Sequence, residues 1–332
     1  MKFLLVGSFR GWMAVHLRQF SRGFEQAGHQ ILEFDYKSAE KTWNPLAKSE
    51  GFKKRRITAA LQRAVNVHKP DCILFVLAHL KVDFSSVKDF FKGPLIAYDY
   101  DGPGWAPYQT DLSWIKDIDL LLTVSRVTQK ALSKKNIESQ YLPHGVDTEY
   151  YSPRELSDGE KELYSSRISF VGRPTKRRVS LLGRLPADQL TLWGRRWQKP
   201  EECPDEKLRQ TLRLNKDVIG EGVPRIYSAS DLMVNMLREP LDKPPTIMSL
   251  QVFAVPSCGT CLLTEWVEEL EDAFEPGKEL LAFKSPDEFA ELAARYSKEP
   301  DLFKEIGENG RKRCLAEHSH QMRAIELVKL LD

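Results

Sequence analysis

Short runs of consecutive apolar residues alternate along the chain with longer stretches whose apolar positions recur every three or four residues. The first run, residues 2–6, leads from Lys2 into Phe3, Leu4, Leu5 and Val6. Continuous apolar character over so short a span predicts a buried strand. A polar turn carrying Gly7 and Gly11 follows. Residues 13–27 then place Ala14, Leu17, Phe20 and Phe24 on one helical face. Gly28 reads as the C-terminal cap, and residues 30–34 as the next strand. Strand, glycine turn, helix and strand predict a βαβ unit, with parallel pairing and a right-handed crossover. An amphipathic helix carrying Ile57, Leu61 and Val65 opens on Lys53, Lys54, Arg55 and Arg56. That basic run reads as a solvated helix end, with a phosphate-binding role as the alternative. Residues 72–77, 95–98 and 120–124 are three further apolar runs, and Ser125 is placed to cap a helix over 126–133.

At residues 168–172 the alternation starts again, after a stretch from Tyr141 to Pro153 that contains Pro143, His144, Gly145, Val146 and Asp147. Leu142 precedes a proline and is extended. Gly145 is free to adopt a backbone angle that other residues avoid, and Asp147 can hold a turn through its own backbone. The stretch is either an ordinary strand-to-loop exit or a crossover between two similar α/β halves, with a cleft beneath it. In the second half, strands are expected at 168–172, 190–193, 231–235, 260–264 and 280–283. Helices are expected from 174, over 223–230, from Thr246 to about 257, and over 265–272, 287–296, 301–317 and 322–331. The last helix carries an apolar stripe of Met322, Ile325, Val328 and Leu331 that needs a partner surface.

Composition adds limits. The 332 residues suffice for two domains, and 42% hydrophobic with 29% charged residues is globular usage. A net charge of +2 calls for no nucleic-acid or acidic-surface partner. No apolar run is long enough to cross a bilayer, and the start of the chain lacks a signal-peptide core, which predicts a cytoplasmic protein. Five cysteines in a chain of this length are not a disulfide framework. Cys258 and Cys261 have the spacing of a redox or zinc pair. No second pair exists, and Cys314, His318 and His320 lack metal-site spacing, so the two cysteines read as small residues where a helix turns into a buried strand.

The candidate chemistry gathers at strand ends. Asp99 and Asp101 follow the fourth strand and precede Gly102, Pro103 and Gly104; ligand sites in open parallel sheets lie off carboxyl strand ends. The alternative is that an aspartate caps the turn. Gly7 and Gly11 with Asp35 fall short of the three-glycine dinucleotide fingerprint. Gly172, Arg173 and Lys176 precede a helix, and free N–H groups with added cations make an anion site there. Gly194, Arg195, Arg196 and Trp197 form a turn able to stack a nucleobase.

Several of these residues converge on one family. The chain resembles GT-B glycosyltransferases of the spore-maturation (CgeB-like) type through Pro143 to Asp147, Tyr151 to Pro153, Phe170 to Arg173, Trp193 with Gly194 and Trp197, Tyr227 to Asn235, and Ser249 to Thr264. The match extends over Glu268 to Glu271 and Phe274 to Gly277, and is most specific in the second half. The resemblance implies two Rossmann-like domains facing a cleft, an acceptor-binding domain over 1–146 and a nucleotide-sugar-binding domain over 147–316. A C-terminal helix, 317–332, would pack back on the first domain. It implies a nucleotide-diphosphate sugar as donor substrate, no cofactor and no metal, since this fold usually neutralises the leaving diphosphate with side chains and a helix N-terminus.

For that reaction the candidate bases are Asp101, then Asp99 and His16. Donor candidates are Gly172, Arg173, Lys176, Trp193, Tyr227, Asn235, Thr246, Ile247, Met248 and Ser249, with Trp193 and Tyr227 flanking the base of the nucleotide. Ser8, Arg10, Gly11 and His144 are candidates for the acceptor side. The sequence does not name the acceptor and leaves it open among a glycan, a glycolipid, a protein and a modified nucleobase. The chain departs from the family at Gln251 and Ala254, where relatives carry an arginine and a glutamate; the resemblance gives that glutamate the donor ribose hydroxyls. A nucleotide-sugar epimerase and a non-catalytic nucleotide or glycan binder are the rival readings.

Overall fold

The fold comes from a computed structural model and is described for residues 1–40, 49–77, 82–100, 112–237, 246–296 and 298–331. The chain divides into two compact units, Met1–Gly145 with His320–Asp332, and Val146–Ser319. Among the described residues each unit contains one six-stranded parallel sheet, and no helix is long and apolar enough to cross a membrane.

The first sheet uses β1 (Lys2–Gly7), β2 (Gln30–Asp35), β3 (Cys72–Val76), β4 (Leu95–Asp99), β5 (Leu120–Thr123) and β6 (Gln140–Tyr141), in the order β2-β1-β3-β4-β5-β6. Every residue of β3 and β4 is buried, as expected for parallel strands covered on both faces. One covering helix, Glu50–His68, buries Ile57, Leu61 and Val65. It opens at Glu50, so the basic run lies within its first turns; the Ser49 side chain caps it by accepting from the Phe52 N–H. The Ser125 hydroxyl likewise accepts from the Thr128 N–H and starts Arg126–Ser133.

The helix Gly11–Gln26 buries Met13, Ala14, Leu17, Phe20 and Phe24. The terminal helix, His320–Lys329, packs along it, and Gln321 Nε2 donates to the Gln26 carbonyl at 2.9 Å. Gly23 permits this approach, because a Cβ there would lie 2.5 Å from the His320 backbone. The buried face of the terminal helix is His320, Arg323, Ala324 and Leu327. This corrects the expected apolar stripe: Met322, Ile325, Val328 and Leu331 are only half-buried, and hydrophobicity alone did not reveal a face containing a histidine and an arginine. A second correction concerns Gly145. Its φ is not in the left-handed region; glycine is required there because a Cβ would lie 2.8 Å from His320 Nδ1.

The second sheet uses β7 (Ser166–Val171), β8 (Leu190–Trp193), β9 (Leu212–Leu214), β10 (Ser230–Asn235), β11 (Cys261–Glu265) and β12 (Leu281–Phe283), in the order β12-β11-β10-β7-β8-β9. One apolar layer gathers Ile168, Phe170, Leu192, Leu232 and Leu263 under Phe289 and Phe303. The other gathers Trp193, Tyr227, Met233, Phe253 and Leu262. Asp147 Oδ1 accepts from the Glu149 and Tyr150 N–H groups and turns the chain into this unit. The helix expected from Thr246 begins at Gln251 (Gln251–Ser257). The helix expected over 265–272 is reduced to Leu270–Ala273, and Glu265 ends β11 instead. The short strand β9 was not expected from the pattern, since it carries no fully buried residue.

Candidate functional site

The carboxyl ends of β7, β8, β10 and β11 bring polar and cationic groups to one sheet edge of the second unit. β7 and β8 run in register, Val171 beside Trp193, so Gly172 and Gly194 follow at the same level and Arg173 and Arg195 after them. The glycine turns are in close contact: a Cβ on Gly194 would lie 2.1 Å from the Gly172 carbonyl oxygen. That oxygen accepts from Trp197 Nε1 at 2.8 Å. Arg173 Nη2 and Arg195 Nε each reach Asp217 Oδ2 at 3.2 Å, beyond the end of β9. Buried Arg178 fixes the turn by donating to the carbonyls of Arg173 and Met236. Thr175 caps the helix Lys176–Leu182 by accepting from the Arg178 N–H, and Lys176 is exposed on its first turn.

At β10 and β11 the side chains form a relay. Ser249 Oγ donates to Asn235 Oδ1 at 3.3 Å, and Asn235 Nδ2 donates to Thr264 Oγ1 at 2.9 Å. Glu265 is buried, accepts from the Leu237 N–H at 2.8 Å and pairs with Arg177. Gln251 Nε2 donates to the Val171 carbonyl at 3.2 Å and to the Tyr227 hydroxyl at 3.1 Å. Burial pushes the Tyr227 hydroxyl well above its ordinary value and keeps it neutral. Ala254 is 1% exposed within the apolar layer.

Three expectations change here. Thr246, Ile247 and Met248 lie ahead of the helix and therefore do not supply its free N–H groups; Met248 is buried and Ile247 packs against the apolar layer. Trp193 and Tyr227 do not present open faces for a nucleobase. Trp193 is in the core with Nε1 donating to Ser169, and Tyr227 stacks on Tyr151 at 6.2 Å. Asn235 and Ser249 are brought together with Thr264, whereas Gly172 and Arg173 join Arg195, which the sequence pattern places only in a stacking turn.

In the first unit Asp101 lies outside the described residues. Asp99 is 0% exposed and accepts from the Thr123 hydroxyl at 3.2 Å, so it supports the end of β4 from inside. Arg10 reaches Asp35 at 3.4 Å and Ser38 at 3.2 Å, Ser8 is half-buried in the same turn, and Gly11 begins the helix at φ +59. His16 and His144 come together with His320 and Arg323. Arg323 Nε donates to the His144 carbonyl at 3.1 Å, and the Tyr100 ring lies edge-on to His144 at 4.4 Å. Burial holds His16 down to about 4 and His144 down to about 3, with the neighbouring positive groups adding to the effect on His144. Burial likewise holds His320 well below its ordinary value, and His16, His144 and Arg323 reinforce it. Cys258 and Cys261 are free and buried, which pushes the Cys258 thiol up to about 12 and removes thiolate character.

Residues 173–329 match the family described as glycosyl transferase-like. No match was found among curated proteins. The fold of the chain is similar to that of several solved structures. Sucrose-phosphate synthase from Thermosynechococcus elongatus is 15% identical with a TM-score of 0.71, over 99% of this chain and 98% of that one. Anabaena HepE, in complex with UDP and glucose, is 12% identical with a TM-score of 0.67, over 100% and 99%. The catalytic domain of starch synthase IV from Arabidopsis thaliana, bound to ADP and acarbose, is 12% identical with a TM-score of 0.69, over 99% and 98%. The two-domain α/β architecture is therefore the GT-B fold.

Proposed function

We propose that this chain is a glycosyltransferase that moves a sugar from a nucleoside-diphosphate donor to an acceptor hydroxyl, without a metal ion and with inversion at the anomeric carbon. The observation that carries the reading is the pair of Gly-Arg strand ends, Gly172–Arg173 and Gly194–Arg195, on one sheet edge of a glycosyl transferase-like domain. A departing diphosphate needs positive charge fixed in place, and Arg173, Arg195 and Lys176 supply it. Ser249, Asn235 and Thr264 offer hydroxyl and amide groups beside it. UDP with glucose and ADP with acarbose, held by two proteins of similar fold, favour a donor of this class. The sequence features from Phe170 to Arg173 and from Ser249 to Thr264 favour the CgeB-like branch, working in the cytoplasm.

Asp101 is the proposed base, from its position after β4 and before a Gly-Pro-Gly run. Asp101→Asn should keep donor binding and lose about 10²–10⁴ in rate. A product that keeps the donor's anomeric configuration would remove it from that role.

One observation favours a second reading, a binder without turnover. The Gln251 amide is engaged by Val171 and Tyr227, and Ala254 is an apolar core residue. Neither brings charge to a donor ribose. Incubation with a panel of UDP-, GDP-, ADP- and dTDP-sugars, following nucleotide release with and without glycan, glycolipid and protein acceptors, separates the readings. Release that depends on acceptor supports transfer. Interconversion of the sugar without acceptor would mark an epimerase, whose fold is also among the similar structures. Binding without release would mark the non-catalytic form.

A further inference from the structure

Arg173 and Arg195 face a single carboxylate. Arg173 uses Nε and Nη2 on the two oxygens of Asp217, at 3.4 and 3.2 Å, and Arg195 adds Nε at 3.2 Å. All three side chains remain about two-fifths exposed. Ion pairs at that exposure contribute little to stability. The two glycine turns are pressed together so closely that a Cβ on Gly194 would force the Gly172 carbonyl to move. Arg196 next to them is held at φ +77, a rare conformation for arginine, with its N–H on Asn215 Oδ1 at 3.0 Å and its guanidinium on Glu202. A non-glycine residue in the left-handed region carries a strain cost and persists where the surroundings impose it. The same turn carries Arg195, whose guanidinium reaches the carboxylate that Arg173 also holds.

We propose that Arg173 and Arg195 form a two-guanidinium seat for the donor diphosphate, and that the Asp217 carboxylate occupies this seat until the diphosphate displaces it. The inference rests on Arg173 being a donor-phosphate cation, as proposed above. One carboxylate against two guanidinium groups leaves the seat with a surplus positive charge. A diphosphate carries more negative charge and matches both planar forks bidentately. It therefore replaces Asp217, while a weaker anion does not. Asp217 also holds the two guanidinium planes side by side before the ligand arrives, which limits the ordering left for binding. Displaced, Asp217 is repelled by the phosphates and turns to solvent. No bond is made or broken in this exchange.

Calorimetric titration with inorganic pyrophosphate, UDP, GDP and ADP tests the proposal on the full chain, with Asp217→Asn, Asp217→Ser, Arg195→Ala and Arg173→Ala beside the parent. Asp217 is exposed, so both of its variants should fold, and circular dichroism checks this. Either Asp217 variant should bind pyrophosphate and the preferred nucleotide about threefold to tenfold more tightly, the gain from removing an exposed competitor. Arg195→Ala should weaken both by about tenfold or more. If Arg173→Ala weakens binding but the Asp217 variants do not tighten it, Asp217 is no competitor, and this inference falls while the donor site stands. If Arg173→Ala and Arg195→Ala both leave affinity unchanged, or if no variant binds any of the four probes, the donor site itself is misplaced and the seat falls with it.

Discussion

Lowering the pH from 7.5 to 5.0 should loosen the first unit while the second stays folded. The cause is the cluster of His144 and His320 with Arg323, which His16 joins from the helix Gly11–Gln26. His144 is 5% exposed and His320 2%. Tyr98 and Tyr100 line the same region, and their rings meet edge to face at 5.6 Å. The Arg323 guanidinium pairs with Glu326 at 2.9 Å. The sign follows from the depressed histidine values. The folded state holds these rings neutral, whereas in the unfolded chain they protonate near 6.5. The unfolded chain therefore takes up protons first as the pH falls, and stability present above 6.5 is lost below it. Each pH unit between the two values costs about 1.4 kcal/mol per histidine. At pH 5.0 His144, held down to about 3, has lost about 2 kcal/mol. His320 and His16 act in the same direction. Against a typical domain stability of about 5–15 kcal/mol, that is a large fraction. Hydrogen exchange followed by mass spectrometry, corrected for the intrinsic effect of pH, provides the readout. Peptides from β1, β3 and β4 should lose at least about thirtyfold in protection, the equivalent of 2 kcal/mol, and peptides from β7, β10 and β11 should lose much less. His144→Gln should flatten the acid dependence of the first unit by about one proton. Equal protection of β1, β3 and β4 at the two pH values would refute the reasoning, as would an unchanged proton uptake in His144→Gln.

Three further outcomes are expected. Arg177→Met should destabilise the second unit by about 3–5 kcal/mol, because it leaves buried Glu265 without its counter-charge; adding Glu265→Gln should recover much of the loss in urea denaturation. Gly194→Ala should cost about 1–3 kcal/mol and weaken nucleotide binding, since its Cβ would meet the Gly172 carbonyl at 2.1 Å and push the paired turns apart; an unchanged melting temperature together with unchanged UDP affinity would count against the close contact. UDP should be preferred over 2′-deoxy-UDP by less than about tenfold, because the methyl group of Ala254 accepts no hydrogen bond from a ribose hydroxyl; a larger preference in paired titrations would mean that another acceptor stands in.

Much of the fold was legible because buried parallel strands advertise themselves. Phe3 to Val6, Cys72 to Val76 and Cys261 to Thr264 are apolar runs too short for helices, bounded by Gly7, by Pro70 and Asp71, and by Gly259 and Thr260. The register of adjacent strands was not legible, since it depends on partners far apart in sequence. The terminal helix shows where periodicity misleads. Its residues Met322, Ile325 and Val328 form a clean stripe in a hydropathy reading. The buried face is instead His320, Arg323, Ala324 and Leu327, because Arg323 reaches the His144 carbonyl and His320 packs edge-on to Phe20 at 5.6 Å. A buried arginine is stabilised by the specific acceptors it finds, and one of them, the His144 carbonyl, lies 179 positions away. The helix expected at Thr246 failed for a related reason. Two prolines ahead of it marked a boundary, but the residues that follow, Met248 among them, are drawn into the core before the helical turn begins.

The candidate site follows the same division. Gly172–Arg173 was readable as a strand end with an anion-binding look, and Gly194–Arg195 carries the identical dipeptide. Their equivalence becomes visible only when β7 and β8 are laid side by side with Val171 against Trp193. A repeated Gly-Arg at the ends of two predicted strands was thus the signal that would have found Arg195. Nothing local singles out Asp217, which follows a strand of three residues and lies 44 positions from Arg173. Its role is set by position alone: a surface aspartate elsewhere would be an ordinary solvated charge, but between two converging arginines it is the group a phosphate must displace. The same argument reverses the weight placed on Ala254. In the sequence it is a missing glutamate, a sign of lost chemistry. In the fold it is an apolar core residue beside a glutamine that joins the end of β7 to Tyr227, so the substitution at 254 removes a charge while the one at 251 adds a brace. The two changes are mutually consistent, and under the proposed function they leave recognition of the donor to its phosphates more than to its ribose.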